Sequence, residues 1–178
     1  MRWTALVALA LFALAPAAAQ VIPQKPRTDP AVDAYARQDF ETAYELSKER
    51  CTETDTSGCA LYGDILRRGL VEFQNYPAAV DAYDKGCDGG DARACAALGN
   101  LYVRGVFGVD QDFEAGETAY RRACDLGSTN GCAGLGNLLM TALRGPLTRD
   151  EGVALLRKTC RDGYEYSCDQ LRKAGIAR

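Results

Sequence analysis

Residues 87–95, CDGGDARAC, and residues 124–132, CDLGSTNGC, decide the fold of this 178-residue chain. Each stretch has a cysteine at both ends, and the same spacing returns at residues 51–59 and 160–168. The eight cysteines therefore form four pairs with a separation of 8, and the first members recur at intervals of 36, 37 and 36 residues. A regular period of this size indicates one supersecondary unit that is repeated four times.

The spacing within a pair predicts that the chain reverses its direction there. Residues 8 apart on one continuous helix are separated by about 12 Å, whereas the Cα atoms of a disulfide are about 4.4–6.8 Å apart. In three of the four pairs a glycine stands three residues after the first cysteine, at Gly90, Gly127 and Gly163, where a turn can use a left-handed residue. Each repeat is thus predicted to be two antiparallel helices joined across a tight connection. Since each repeat has to close on itself, the predicted disulfides are Cys51–Cys59, Cys87–Cys95, Cys124–Cys132 and Cys160–Cys168.

The first nineteen residues have the features of a secretory signal peptide. Arg2 precedes an apolar run from Trp3 to Leu14, and small residues occupy positions 17–19. This pattern predicts cleavage after Ala19 and export to the periplasm or to the exterior. An even number of cysteines agrees with export, because disulfides persist in oxidising compartments.

The rest of the chain divides into a lead, a cap and four repeats. We expect a flexible lead at residues 20–29 and a capping helix at 30–38, which begins after the N-cap residue Asp29. The repeats are predicted at residues 39–74, 75–110, 111–147 and 148–178, the last including a C-terminal cap. Apolar residues recur in steps of three and four, as in amphipathic helices. Small residues recur where helices are expected to approach closely, among them Gly63, Gly99, Gly116, Gly136 and Gly152.

Composition excludes several functional classes. The chain has 21 Lys and Arg, 24 Asp and Glu, and no histidine. An acidic chain without a basic tract is not typical of proteins that bind nucleic acid, and the absence of histidine removes the commonest metal ligand and general base. Zinc sites made of cysteine need closer pairs than these. We therefore predict no metal, no cofactor, no nucleic-acid partner and no membrane-spanning segment after the signal peptide.

Residues 94–127, ACAALGNLYVRGVFGVDQDFEAGETAYRRACDLG, carry a recognisable pattern. The motif A-x-x-L-G-x-x-Y-x-x-G, followed by a loop and by A-x-x-x-Y-x-x-A with a closing glycine, resembles the Sel1-like repeat, a relative of the tetratricopeptide repeat. The cysteines make the chain similar to the secreted Helicobacter cysteine-rich proteins, whose repeats each carry one disulfide. The resemblance covers residues 39–172. It implies an all-α fold, a right-handed superhelical solenoid of antiparallel helix pairs.

A solenoid of this kind presents an extended concave surface. The resemblance therefore implies a monomeric scaffold that binds a protein or a peptide. Charged residues flank the apolar stripe of the second and third repeats and are candidates for binding or for a merely solvated face: Asp81, Asp84, Lys85, Glu117, Arg121 and Arg122. Tyr83 and Tyr120 could form a stacking platform, but their shared repeat position favours packing in the core.

The resemblance also implies an enzymatic alternative, because the cysteine-rich family is linked with penicillin binding and weak β-lactamase activity. Serine β-lactamases use the elements S-x-x-K, S-D-N and K-T-G. The chain lacks S-x-x-K, Ser128-Thr129-Asn130 only imitates the second element, and Lys158-Thr159-Cys160 ends one residue short of the third. We therefore predict no catalytic residues.

Overall fold

The structure, a computed structural model, describes residues 29–141 and 146–177. The predicted signal peptide and residues 20–28 of the predicted lead lie outside the described residues. Within the described ranges the chain forms nine helices and no strand beyond one isolated bridge between Val106 and Val109. The helices are α1 Pro30–Ala36, α2 Phe40–Glu49, α3 Cys59–Arg68, α4 Tyr76–Asp88, α5 Ala92–Arg104, α6 Phe113–Asp125, α7 Thr129–Thr141, α8 Pro146–Arg161 and α9 Glu165–Lys173. The all-α fold predicted from the sequence is confirmed.

Short polar side chains begin most of these helices. Aspartate or asparagine side chains accept hydrogen bonds from the first free backbone N–H groups of α1, α2, α4, α5 and α6, and the residues are Asp29, Asp39, Asn75, Asp91 and Asp112. The Ser128 hydroxyl does the same for α7 by accepting from the Gly131 N–H at 3.1 Å. These caps satisfy donors that have no partner inside the helix.

The tight connections turn at the glycines that the sequence singles out. Gly90, Gly127 and Gly163 have φ values of 86°, 86° and 92°, a left-handed conformation that residues with a Cβ rarely adopt. The first connection differs, because α2 ends at Glu49 and the turn closes through the bond from the Thr52 N–H to the Asp55 carbonyl at 2.8 Å. Thr54 stands at the repeat position of Gly90, Gly127 and Gly163, and this longer turn needs no left-handed residue there.

Four disulfides cross these connections: Cys51–Cys59, Cys87–Cys95, Cys124–Cys132 and Cys160–Cys168. Their Cα–Cα distances run from 4.4 to 4.9 Å. Three of them join α4 to α5, α6 to α7 and α8 to α9, and the first joins Cys51, two residues beyond the end of α2, to the first residue of α3. Every cysteine of the chain is in a disulfide.

The most extensive helix packing lies across the longer loops, between α3 and α4, α5 and α6, and α7 and α8. Glycines permit it: a Cβ on Gly99 would lie 2.8 Å from the ring of Tyr120, and a Cβ on Gly152 would lie 2.6 Å from the carbonyl oxygen of Gly136. Gly63 lies in the same way against the ring of Tyr83. A disulfide therefore links α4, α6 and α8 each to the helix that follows it, whereas the closest packing joins each of them to the helix before it. The disulfide-linked pairs and the closely packed pairs are thus offset by one helix.

The predicted limits of the repeats can be compared with the helices. The limits before residues 39, 75 and 111 fall in connections, at or near the helix N-caps. The limit between residues 147 and 148 falls inside α8, which begins at Pro146. Helix α1 lies against α2 at the N-terminal end of the array, where the sequence predicts a cap.

The core follows the recurring apolar positions. Leu98, Leu135 and Leu171 are each at most 5% exposed, and they occupy the same repeat position. Tyr83 and Tyr120 are 1% and 6% exposed. Both tyrosines therefore pack in the core, as the sequence favoured.

The helices form two rows. In the row α3, α5, α7 and α9 each helix contacts the next, whereas the contacts among α2, α4, α6 and α8 are fewer in the residues that the structure describes. The odd-numbered row is thus the more crowded side of the array and forms its inner, concave face. None of the helices within the described ranges has the length and apolar character needed to cross a membrane.

Candidate ligand groove on the inner face

A groove runs across the middle of the inner face. Its volume is about 320 Å³, and it collects side chains from five consecutive helices, α3 to α7. Alanines supply small apolar side chains to its lining, and charged, amide and hydroxyl side chains supply polar groups. The lining residues are Ala60, Asp64, Arg67, Tyr83, Arg93, Ala96, Ala97, Asn100, Tyr120, Ser128 and Asn130. Small apolar side chains let the main chain of a ligand approach while polar groups orient it.

Four polar residues of the groove, Asp64, Arg93, Asn100 and Asn130, belong to one stripe of repeat positions. These positions stand two residues before the second cysteine of a repeat, and five and nine residues after it, which is the spacing of one helix face. We call these residues in α3, α5, α7 and α9 the inner stripe: Asp64, Arg68, Arg93, Asn100, Arg104, Asn130, Asn137, Thr141, Tyr166 and Lys173. Each is exposed or half-buried.

Three side chains form a hydrogen-bonded network at one end of the groove. The Tyr83 hydroxyl donates to the Asp64 carboxylate at 2.7 Å, and the Arg67 guanidinium donates to Asp64 at 3.0 Å and to the Tyr83 oxygen at 3.1 Å. Burial, together with the Asp64 charge, raises the pKa of Tyr83 far above its usual value. The phenol is therefore protonated at any physiological pH, and Asp64 and Arg67 neutralise each other.

A tyrosine also holds the Asn130 amide further along the groove. Tyr120 and Asn100 both line the groove, and burial raises the pKa of Tyr120. The Tyr164 hydroxyl donates to the Asn130 side-chain oxygen at 3.0 Å. Because the oxygen of Asn130 is engaged in this way, its amide NH₂ is available to donate to a ligand in the groove.

The charges that the sequence singled out on α4 and α6 lie outside the groove lining. Lys85 pairs with Glu53 at 2.8 Å, and Arg122 pairs with Asp88 at 2.6 Å. In both pairs a cation of one repeat reaches an acid that stands one or two residues after the first cysteine of the preceding repeat. Arg121 pairs with Glu117 at 3.0 Å and with Glu151 at 2.7 Å. These residues connect neighbouring repeats.

The two remaining charged residues that the sequence singled out lie on α4. Asp81 and Asp84 lie exposed on this helix. Partial burial and the neighbouring Asp88 raise the pKa of Asp84, with a smaller contribution from Asp81. The row of even-numbered helices therefore carries an acidic surface along α4.

Sequence reasoning named the groove residues Tyr83, Tyr120, Ser128 and Asn130 for other reasons, and it missed Asp64, Arg67, Arg93 and Asn100. A signal was present, because asparagine stands at the same repeat position in α5 and α7, at Asn100 and Asn137. Neither residue fits an apolar core position, so their recurrence pointed to a shared polar face.

The two residues that imitate β-lactamase elements have other partners. Ser128 caps α7 and lines the groove beside Asn130. The Lys158 ammonium pairs with Asp162 at 3.0 Å on its own helix. In the described part of the chain no cluster of three or more His, Cys, Asp or Glu side chains is arranged to hold a metal ion.

No protein-family model matches the chain, and no curated protein matches it. Solved structures do. A protective antigen present in uropathogenic Escherichia coli strains, which displays an SLR fold, is 21% identical with a TM-score of 0.72, over 81% of this chain and 33% of that one. A Sel1 repeat protein from Oxalobacter formigenes is 20% identical with a TM-score of 0.58, over 74% of this chain and 51% of that one.

The chain thus spans about a third of one of these proteins and about half of the other. At these identities the likeness concerns the fold. It agrees with the helix pairs, the recurring glycines and the motif of residues 94–127. The chain has the fold of Sel1-like repeat proteins.

Proposed function

We propose that this protein is an exported, disulfide-stabilised repeat scaffold that binds a protein or peptide segment in the groove of its inner face. Sel1-like repeats are compatible with protein binding. The observation that carries the proposal is the groove itself, where small side chains leave room for a main chain and where tyrosine hydroxyls already hold Asp64 and Asn130. Such preorganisation lowers the entropy lost on binding.

Export to the cell envelope or beyond is part of the proposal. The first nineteen residues have the pattern of a signal peptide, and all eight cysteines are in disulfides. Four disulfides suit an oxidising compartment. Fractionation of the native cells tests this part, since the proposal requires the processed chain in the periplasmic or extracellular fraction and is wrong if the chain stays in the cytoplasm with free thiols.

Site-specific photocross-linking in the native envelope tests the groove. A benzoylphenylalanine at position 97, on the groove floor, should give a discrete adduct with another protein. The matched control is the same group at position 107, where the native Phe107 is 92% exposed but lies outside the groove.

The two positions give distinct outcomes. An adduct from position 97 that disappears when Asn100 and Asn130 are both replaced by alanine supports binding in the groove. An adduct from position 107 alone would place the binding surface on the loop edge and contradict the proposal.

The penicillin-binding alternative has less support from the site. The Ser128 hydroxyl caps α7, and Lys158 is paired with Asp162. A serine nucleophile needs an adjacent base for activation.

A further inference from the structure

The charges of the molecule are distributed unevenly between its two rows of helices. Helices α5 and α7 contain no Asp or Glu, although the chain as a whole is acidic. Along the inner stripe the cations are Arg68, Arg93, Arg104 and Lys173, and the only acid is Asp64. Asp64 is already bonded to Arg67 and Tyr83. The inner face is therefore positive, while α4 in the other row carries three aspartates.

We propose that the ligand of the inner groove is an acidic peptide segment, whose carboxylates pair with Arg93 and Arg104. This inference rests on the proposed function, because it names the chemistry of the partner at the same groove. Opposite charge selects partners and speeds their association. Guanidinium groups also suit carboxylates, since they can donate two parallel hydrogen bonds to them.

Arg93 lies at the edge of the groove and is accessible to such a ligand. Its side chain is 75% exposed, and its contact with the Asp91 carboxylate is long, at 3.3 Å. The other oxygen of Asp91 accepts from the backbone N–H groups of Arg93 and Ala94, so Asp91 is occupied with capping α5. A ligand carboxylate can therefore approach Arg93 from the solvent side without breaking a buried pair.

Arg104 continues the same face of α5 toward the other end of the helix. It is exposed, and it forms no ion pair with any residue that the structure describes. Eleven positions separate Arg93 from Arg104, which is about 16 Å along a helix axis. Asn100 lies between the two arginines and lines the groove. An extended segment with acidic residues a few positions apart can thus contact both arginines and place its main chain beside the amide.

Fluorescence anisotropy on the oxidised protein without its signal peptide tests the inference. The probes are three fluorescein-labelled peptides of equal length, in which glycine alternates with glutamate, glutamine or lysine. The glutamate peptide should bind at least about tenfold more tightly than the glutamine peptide, because charge-assisted hydrogen bonds replace neutral ones. Its affinity should fall when the salt concentration rises from about 0.05 M to about 0.3 M.

Two matched variants assign the effect to the stripe. Replacing Arg93→Gln and Arg104→Gln together should weaken the glutamate peptide about tenfold or more. Arg161→Gln, at an exposed arginine outside the stripe, should change it less than about twofold. Both variants should keep their helices, because all three side chains are exposed and glutamine is a good helix former, and circular dichroism checks this.

The outcomes separate this inference from the proposed function. If the glutamine or lysine peptide binds at least as tightly as the glutamate peptide, or if the two arginines make no difference, the acidic ligand is wrong. In that case an adduct from position 97 would still support the groove. If no peptide binds and position 97 gives no adduct, both the inference and the proposed function fail.

Discussion

The hydroxyl oxygens of Thr159 and Ser167 lie 2.6 Å apart, and both side chains are at most 1% exposed. They stand immediately before the two cysteines of the last disulfide. The same two positions hold Gly86 and Ala94 in the second repeat and Ala123 and Gly131 in the third, where a Cβ on either glycine would collide with the alanine. A hydroxyl pair in the last helix pair thus replaces close contact between small residues.

This relationship predicts unequal effects of two substitutions. Ser167→Ala should lower the free energy of unfolding by about 1 kcal/mol, since Thr159 still bonds to the carbonyl of Leu155 at 3.0 Å. Thr159→Val should cost about 2 kcal/mol, because it leaves the buried Ser167 hydroxyl without this partner. Urea unfolding of both single variants and the double variant measures the coupling. Equal costs and no coupling would show that the hydrogen bond does not contribute.

A methyl group at Gly152 should destabilise the array, although alanine favours helices over glycine by about 1 kcal/mol. The added Cβ would meet two backbone atoms at 2.6 Å, the carbonyl oxygen of Gly136 and the nitrogen of Met140. Backbone atoms cannot move aside cheaply, so we expect a net loss of about 1–3 kcal/mol. The matched control is Gly163→Ala, where the space is open and only the left-handed φ of 92° opposes the change.

Thermal unfolding of the two glycine variants makes the comparison. Gly163→Ala should cost about 1 kcal/mol, the strain of one left-handed residue. A Gly152→Ala variant as stable as the parent would mean that α7 and α8 pack less closely than described.

Removing a disulfide should lower the stability of the protein, and a central disulfide should matter more than the last one in the array. Each bridge closes a loop of about nine residues, and chain entropy then gives an upper value of roughly 2.6 kcal/mol per bridge. Replacing both Cys124 and Cys132 by alanine should lower the melting temperature more than replacing Cys160 and Cys168, because the central pair has helices on both sides. Peptide mapping without reduction checks the pairing, and a peptide joining different repeats would contradict it.

The N-terminal helix should loosen in acid. The Arg50 guanidinium, 2.5 Å from the Asp29 carboxylate, lowers the pKa of Asp29 below its usual value. A lowered pKa in the folded state adds stability above the unfolded pKa near 4, and this stability disappears as the pH falls through the folded value. At this exposure the pair contributes about 0.2–1 kcal/mol.

Asp29→Asn isolates the charge, because asparagine also caps helices well. The variant should unfold more easily at pH 7, and its stability should decline less than that of the parent as the pH falls below about 4. Hydrogen exchange of α1 across this pH range provides the measurement. An identical acid response in both proteins would rule out a contribution from the Asp29–Arg50 pair.

β-Lactam hydrolysis should not exceed the uncatalysed rate. Ser128 caps α7 and Lys158 pairs with Asp162, so neither is prepared for nucleophilic attack. A chromogenic cephalosporin assay on the oxidised protein measures the rate, with Ser128→Ala as the control. Turnover that this single substitution abolishes would overturn the prediction.

Much of the fold could be predicted because it depends on local sequence signals. The cysteine period, the turn glycines and the steps of three and four act within one helix pair. Left-handed residues at Gly90, Gly127 and Gly163 are of this kind. The longer first turn was not predicted, since no local signal places the end of α2 at Glu49.

Local signals could not predict that the disulfide-linked helix pairs and the closely packed helix pairs are offset by one helix. This offset depends on contacts such as Gly99 against Tyr120, whose partners are far apart in sequence and belong to different helices. The network of Asp64, Arg67 and Tyr83 has the same origin, because it forms only after α3 and α4 have packed. In the sequence, only the recurrence of asparagine at positions 100 and 137 indicated a polar inner face.

The short bridges also limit how far the chain can lengthen under tension. Each disulfide joins residues 8 positions apart, so a pulling force passes through the sulfur atoms and bypasses the residues between them. A stretched chain extends about 3.3–3.6 Å per residue, so each bridge withholds about 20 Å of contour and the four together about 80 Å. Even with every helix unfolded, four loops closed by disulfides would remain along the extended chain.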